Sequence, residues 1–180
     1  MPGNKYRVSV AGFARDGISH NASLERPFGR AMYHWGIWVE PKNSQGAGRL
    51  YHMEEYPPMN SAAGPIPGGW RFELRDSNSK NSKRLIGRIM IGKLPAGNGY
   101  REVEALLSRV PAPVQGSSEN CITWTMNAIR LLQGQRPTPW AERFNIEEFM
   151  DYAYSRFKSW FLKNNWRYTD HKESYVKRKF

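Results

Sequence analysis

The strongest strand signal in the chain is the run Ala31-Met32-Tyr33-His34-Trp35-Gly36-Ile37-Trp38-Val39-Glu40-Pro41. Aromatic and β-branched residues are enriched in strands, and the closing proline has no N–H to donate to a neighbouring strand. Successive side chains of a strand point to opposite faces, so one face carries His34, Gly36 and Trp38. The opposite face carries Tyr33, Trp35, Ile37 and Val39.

Four other segments with alternating apolar and polar residues accompany this strand, at residues 5–13, 49–56, 70–76 and 84–94. Turn-forming residues separate several of them, and together the segments predict an antiparallel meander of about five strands. The stretch 59–69 is rich in proline, glycine and alanine, and we expect a long loop there.

The apolar period changes from two to three or four after Gly99, which indicates helices. A short helix ends at Pro111, a second runs from Cys121 to about Leu132, and a long third begins at Asn145 as its N-cap, with Glu148 in the capping-box position. Strands followed by helices predict an α+β fold, an antiparallel sheet packed against helices. We expect one domain over residues 1–164 and a basic C-terminal extension over residues 165–180.

The composition fits a folded, cytoplasmic protein. The chain has 180 residues, 39% of them hydrophobic and 13% aromatic, enough for one domain with a core. Its single cysteine excludes an intramolecular disulfide, and no secretory signal or long apolar segment is apparent. No pattern predicts a cofactor.

The formal net charge of +11 makes an acidic partner plausible. The last part of the chain is its most basic region, where aromatic residues are interleaved with Lys172, Lys177, Arg178 and Lys179. This mixture can bind an anionic partner such as a nucleic acid or an acidic surface. The other interpretation is a solvated, positively charged helix face with a loose end, since no nucleic-acid-binding motif accompanies the charge.

Cys121 stands at the predicted start of the second helix, after a segment of turn and capping residues. Free N–H groups and the positive end of the helix dipole favour a thiolate there, so we expect a lowered thiol pKa and a nucleophilic sulfur. A free cysteine is also among the most buried residue types, and a purely structural role is the other interpretation.

Two histidines precede Cys121 on neighbouring predicted strands, His34 and His52. A thiol nucleophile needs a base within hydrogen-bond reach and a group that orients the base. Glu54 lies on the same strand face as His52, so it is an alternative orienting residue. The histidines and a carboxylate could also form a mixed metal site, but the HExxH and CxxC spacings are absent and we expect no metal.

The run Tyr33-His34-Trp35-Gly36-Ile37-Trp38 resembles the His-aromatic-Gly-Ile-aromatic strand of the lecithin retinol acyltransferase-like proteins. Those proteins are a branch of the circularly permuted papain-like (NlpC-type) superfamily. His52 in Leu50-Tyr51-His52 is similar to their second polar position, and Glu119-Asn120-Cys121 resembles their Asn-Cys at the nucleophile helix. The resemblance implies a circularly permuted papain-like fold, with Cys121 as nucleophile, His34 as base and His52 as orienting residue.

The chain departs from that branch after Asn-Cys, where Ile122-Thr123-Trp124 replaces Glu-His-Phe, and it lacks the hydrophobic membrane anchor. The implied chemistry is therefore cysteine-dependent acyl transfer through a thioester on Cys121, as hydrolysis or transacylation of an amide, peptide or thioester. We expect a small-molecule or peptide acyl substrate, bound with the help of Trp35, Trp38, Asn120 and Trp124.

Overall fold

A computed structural model describes residues 5–163 and 171–180 of the chain. Its central feature is a mixed six-stranded sheet with the strand order β6-β3-β2-β1-β7-β8. The sheet strands are β1 (Tyr6–Ala14), β2 (Tyr33–Pro41), β3 (Ala47–Tyr56), β6 (Gly69–Asn78), β7 (Leu85–Lys93) and β8 (Lys172–Ser174). A separate hairpin of β4 (Met59–Ser61) and β5 (Gly64–Ile66) occupies much of the predicted loop 59–69.

The helices of the described chain are α1 (Glu25–Phe28), α2 (Tyr100–Leu107), α3 (Cys121–Gln133) and α4 (Ile146–Phe161). The fold is therefore α+β, as predicted, with a sheet packed against helices. Helix α3 packs on β2 and β3, and α4 packs on β7. The Asn145 side chain accepts a hydrogen bond from the Glu148 N–H, which confirms the predicted N-cap of α4.

The predicted meander is only partly correct. Strands β1, β2, β3 and β6 follow one another across the sheet, but β7 crosses back and pairs antiparallel with β1. This places β1 and β7 inside the sheet, and all of β7 except Lys93 is buried. Such complete burial favours an interior position, because both faces of an interior strand can be covered.

The two faces of β2 follow the predicted alternation. Tyr33, Trp35, Ile37 and Val39 belong to the main hydrophobic core together with α3 and α4. Trp38 belongs instead to a smaller cluster on the opposite face, with Ala11, Leu50 and Leu85. His34 and Gly36 share that second face by the same alternation.

The described C-terminal residues contact the sheet and the hydrophobic core. Strand β8 pairs parallel with β7, and the Tyr175 ring packs against Phe144 and Phe149. The predicted start of the basic extension, at residue 165, falls in the segment 164–170, which lies outside the described residues. Among the described helices, none has the length and apolar character that crossing a membrane requires.

Candidate active site

A cavity of about 870 Å³ lies beside β2 and β3. The two strands pair at three positions, from Ile37–Val39 to Arg49–Tyr51, and this pairing stops before His34 and His52. The N-terminus of α3 reaches the same place. The cavity is consequently lined by His34, His52, Glu54, Asn120 and Cys121, five of the predicted site residues.

His34 and His52 form a direct pair, with a hydrogen bond of 2.7 Å between His34 Nε2 and His52 Nδ1. Gly36 makes this approach possible. A Cβ atom at that position would lie 2.7 Å from Leu50 Cδ1, 2.9 Å from the Tyr51 carbonyl oxygen and 3.0 Å from His52 Cβ. The glycine between His34 and Trp38 therefore leaves the space in which the His52 side chain begins.

Both imidazoles are held neutral. Burial, with contributions from the charges of His52, Arg15 and Arg75, lowers the pKa of His34 to about 3. Burial and the charge of Arg75 lower the pKa of His52 to about 4. Both rings are therefore neutral near pH 7, and each carries one proton and one lone pair. A neutral imidazole is the form required of a general base.

The buried histidine pair should make the protein acid-sensitive. The folded-state pKa values lie below the ordinary value of 6.5, so between about pH 6.5 and pH 4 the unfolded chain binds protons that the folded chain does not. Unfolding free energy should therefore fall by about 4 kcal/mol between pH 7 and pH 5. Urea denaturation of wild type and a His34→Gln/His52→Gln variant measures this, and an equal loss in both proteins would contradict it.

Cys121 is the first residue of α3, as the sequence predicts, and Asn120 is its N-cap. The Asn120 Oδ1 accepts hydrogen bonds from the N–H groups of Ile122 (2.8 Å) and Thr123 (3.4 Å). These two donors are thereby used, and they are not free to stabilise an oxyanion. The N–H groups of Cys121 itself and of Trp35 act instead on the Cys121 sulfur.

The thiol pKa differs from the sequence-based expectation. Burial raises the pKa of Cys121 to about 11, and the N–H groups of Trp35 and Cys121 and the charge of Arg15 only partly oppose this. The side chain has an exposed fraction of 8%, so desolvation of the thiolate outweighs the helix N-terminus. In the structure as it stands, Cys121 is a neutral thiol near pH 7.

The sulfur and the histidines share the cavity but are not directly bonded. Among the described residues, no hydrogen bond joins Cys121 to His34 or His52, whereas the histidines bond each other. The Nδ1 atom of His34 is left without a hydrogen-bond partner in that same set of residues. The cavity wall therefore carries the Cys121 thiol and the His34 imidazole, whose Nε2 is bonded to His52 and whose Nδ1 is available.

Two carboxylates flank His52. The Glu54 Oε2 lies 3.5 Å from His52 Nδ1, and the Glu73 Oε2 lies 4.0 Å from His52 Nε2. Glu54 was predicted as an alternative orienting residue, and its carboxylate does reach the pair. Glu73 was missed. The alternation of residues 70–76 places Glu73 on one face of its strand. Only the pairing of His52 with Glu73 across β3 and β6 shows that this face lies beside the histidines.

Among the described residues, a metal ion could also be bound by His34, His52 and Glu54, because one donor atom of each lies within 4.8 Å of the others. The geometry fits a hydrogen bond better. Two nitrogens on a tetrahedral zinc stand about 3.3 Å apart at bond lengths of about 2.0 Å, whereas the histidine nitrogens are 2.7 Å apart.

The three tryptophans predicted to bind substrate lie elsewhere. Trp35, Trp38 and Trp124 have exposed fractions of 0%, and none of them lines the cavity. The indole N–H of Trp35 donates to the Arg30 carbonyl and that of Trp38 to Glu40, so two of the polar edges are used internally. In this structure these side chains build the cores, and Trp70 is the tryptophan in the cavity wall.

The basic residues of the C-terminal segment lie away from the cavity. Lys177, Arg178 and Lys179 are exposed, and Arg178 forms an ion pair with Glu142. Lys172 is exposed on β8, with its Nζ 5.4 Å from the centroid of the Phe180 ring. None of the four lines the cavity that holds the histidine pair.

Residues 5–174 match the sequence model of a protein family, described as a family of unknown function and designated DUF6914. No curated protein and no solved structure matches the chain. The match covers both histidines, the cysteine and all six strands of the sheet. The chain therefore belongs to the family of unknown function DUF6914.

Proposed function

We propose that this protein is a cysteine-dependent acyl-transfer enzyme that forms a thioester on Cys121. The observation that carries the proposal is the hydrogen-bonded pair of His34 and His52 in the wall of the cavity that also receives Cys121 at a helix start. A nucleophile, a base and a group that orients the base are the components that such chemistry needs.

The resting protonation states define the first step. Cys121 is a neutral thiol and His34 a neutral imidazole, so the sulfur proton must pass to His34 as the sulfur attacks the substrate carbonyl. A new C–S bond forms, and the carbonyl π electrons move to its oxygen. When this intermediate collapses, the leaving group departs with the proton from His34, and the acyl group remains on the sulfur.

The second half returns the enzyme to its starting state. His34 removes a proton from water or another acceptor, which attacks the thioester carbonyl, and the sulfur leaves and regains a proton. His52 accepts a hydrogen bond from His34 Nε2–H and so keeps the lone pair on His34 Nδ1, which has no other partner among the described residues. The cavity of about 870 Å³ has room for a small acyl donor or a short peptide.

The order of the three residues supports a permuted papain-like fold. His34 and His52 precede Cys121, on strands next to the nucleophile helix, in the order that the resemblance to the lecithin retinol acyltransferase-like proteins implies. We extend the proposal to the fold on this ground. It does not extend to lipid or retinyl substrates, because a shared fold does not fix the substrate.

A simple kinetic assay tests the proposed function. Purified protein is incubated with p-nitrophenyl acetate and with an acetyl thioester at pH 7, beside a Cys121→Ser variant. We expect turnover by the wild type and loss of nearly all of it in the variant, because a hydroxyl is a far weaker nucleophile than a thiol. Equal rates in the two proteins would refute the proposal.

Binding of an anionic polymer through the C-terminal segment has less support. The Tyr175 ring is packed among other aromatic rings, and the Phe180 ring lies under the guanidinium group of Arg7 at 4.8 Å. These rings are engaged within the protein, whereas stacking on bases requires free aromatic faces. Trp166 and Tyr168, the other aromatic residues of the predicted binding region, lie outside the described residues.

A further inference from the structure

The Nε2 atom of His52 is a buried polar atom without a hydrogen-bond partner in the described part of the chain. Leaving a buried donor or acceptor unpaired is unfavourable, so such an atom calls for a physical reason. The Glu73 carboxylate faces this nitrogen at 4.0 Å, beyond hydrogen-bond distance.

The backbone holds Glu73 at this place. His52 and Glu73 are direct partners in the pairing of β3 with β6, and directly opposed side chains project from the same face of a sheet. The Glu73 side chain has an exposed fraction of 28%, against 44% for Glu54. Of the two carboxylates beside His52, Glu73 is therefore the better shielded from water.

The His34–His52 hydrogen bond can form in two ways. His34 Nε2–H can donate to His52 Nδ1, which leaves the His34 Nδ1 lone pair available and puts the His52 proton on Nε2. The reverse direction protonates His34 on Nδ1, which removes the base. A negative charge facing His52 Nε2 attracts a proton to that nitrogen and so favours the first arrangement.

We propose that Glu73 is a positioning residue that fixes the tautomers of both histidines, by stabilising the proton on His52 Nε2 so that His34 Nδ1 stays free to accept the thiol proton. The inference rests on the proposed function, because it assigns His34 the part of the base. Glu54 opposes it: its carboxylate lies 3.5 Å from His52 Nδ1 and attracts the proton to the other nitrogen.

Nitrogen-15 NMR of histidine-labelled full-length protein tests this directly, since the protonated and bare ring nitrogens have distinct shifts and the chain has only four histidines. His34→Gln and His52→Gln assign the two signals. Glu73→Leu removes the carboxylate, and Glu73→Gln keeps an amide oxygen there without the charge. Glu55→Gln is the control, because it removes the same charge from β3 at the edge of the same cavity, on the strand face opposite His52. Glu73→Ala is the substitute if the leucine variant does not fold.

We expect the Nε2–H form of both histidines in the wild type and in Glu55→Gln, and a shift of His52 toward the Nδ1–H form in Glu73→Leu. Turnover of p-nitrophenyl acetate should show a 10- to 100-fold lower kcat in Glu73→Leu with little change in KM, the usual cost of losing a supporting partner. Glu73→Gln, which lacks the charge, should recover little of this, and Glu54→Gln should strengthen the Nε2–H form.

Unchanged tautomers in Glu73→Leu, or the same shift in Glu55→Gln, would overturn the inference. The inference and the proposed function can fail separately. Turnover that requires Cys121, combined with unchanged tautomers, would remove only the role of Glu73. A tautomer shift in a protein whose turnover does not require Cys121 would remove the proposed function and leave Glu73 in control of the histidine pair.

Discussion

Replacing His34 with alanine should lower kcat/KM for p-nitrophenyl acetate by roughly 10²- to 10⁴-fold, the range that a positioned general base contributes. The effect should be large because the Cys121 thiol has a pKa raised by burial to about 11 and so carries almost no thiolate near pH 7. Without an imidazole to take the proton as the sulfur attacks, the neutral thiol is a poor nucleophile.

His20 provides the matched control for this variant. It is exposed, its ring packs against Phe161 with centroids 4.8 Å apart, and it does not line the cavity. Steady-state kinetics should show His20→Ala close to wild type and His34→Ala strongly impaired, with both proteins folded by circular dichroism. A His34→Ala protein with wild-type kcat/KM would exclude His34 as the base.

Replacing Gly36 with alanine should destabilise the protein by about 2–3 kcal/mol, as overpacking of a well-packed interior does. The new Cβ would lie 2.9 Å from the Tyr51 carbonyl oxygen, and a strand backbone cannot move away as a flexible side chain can. It would also lie 3.0 Å from His52 Cβ, so the 2.7 Å bond between the histidines should lengthen or break. We therefore expect loss of turnover even at temperatures where the variant remains folded.

Gly69→Ala is the control for the Gly36 substitution. Gly69 is also in a strand of the sheet, it has no positive φ angle, and a Cβ there would meet no atom of the described residues within 4 Å. Urea denaturation should find Gly69→Ala within about 0.5 kcal/mol of wild type, as expected where no contact changes. A Gly36→Ala protein as stable and active as Gly69→Ala would mean that the glycine does not make room for His52.

Local features of the fold could be predicted where side-chain type and period agree. The alternation of β2 placed Trp35 and His34 on opposite faces, and capping residues placed the starts of α3 and α4 at Asn120 and Asn145. These features depend on a few adjacent residues. Their physical causes, the strand pleat and the unpaired N–H groups of a first helical turn, act within the same segment.

Long-range pairing could not be predicted in the same way. The return of β7 to β1 and the addition of β8 bring together segments far apart in the chain, and no local pattern specifies such partners. The same limit explains why Glu73 was missed, since its approach to His52 follows from the pairing of β3 with β6. The thiol pKa was also beyond local reasoning, because burial of Cys121 depends on the whole core.

The most direct test of thioester formation on Cys121 is intact-protein mass spectrometry of an acid-quenched reaction with p-nitrophenyl acetate at pH 7, followed by peptide mapping. We expect one acetyl group per chain, located on Cys121, which forms and then decays in the wild type and forms much more slowly in His34→Ala. Acetylation confined to lysines, or acetylation of Cys121 at the same rate with and without His34, would contradict the proposed role of this cavity.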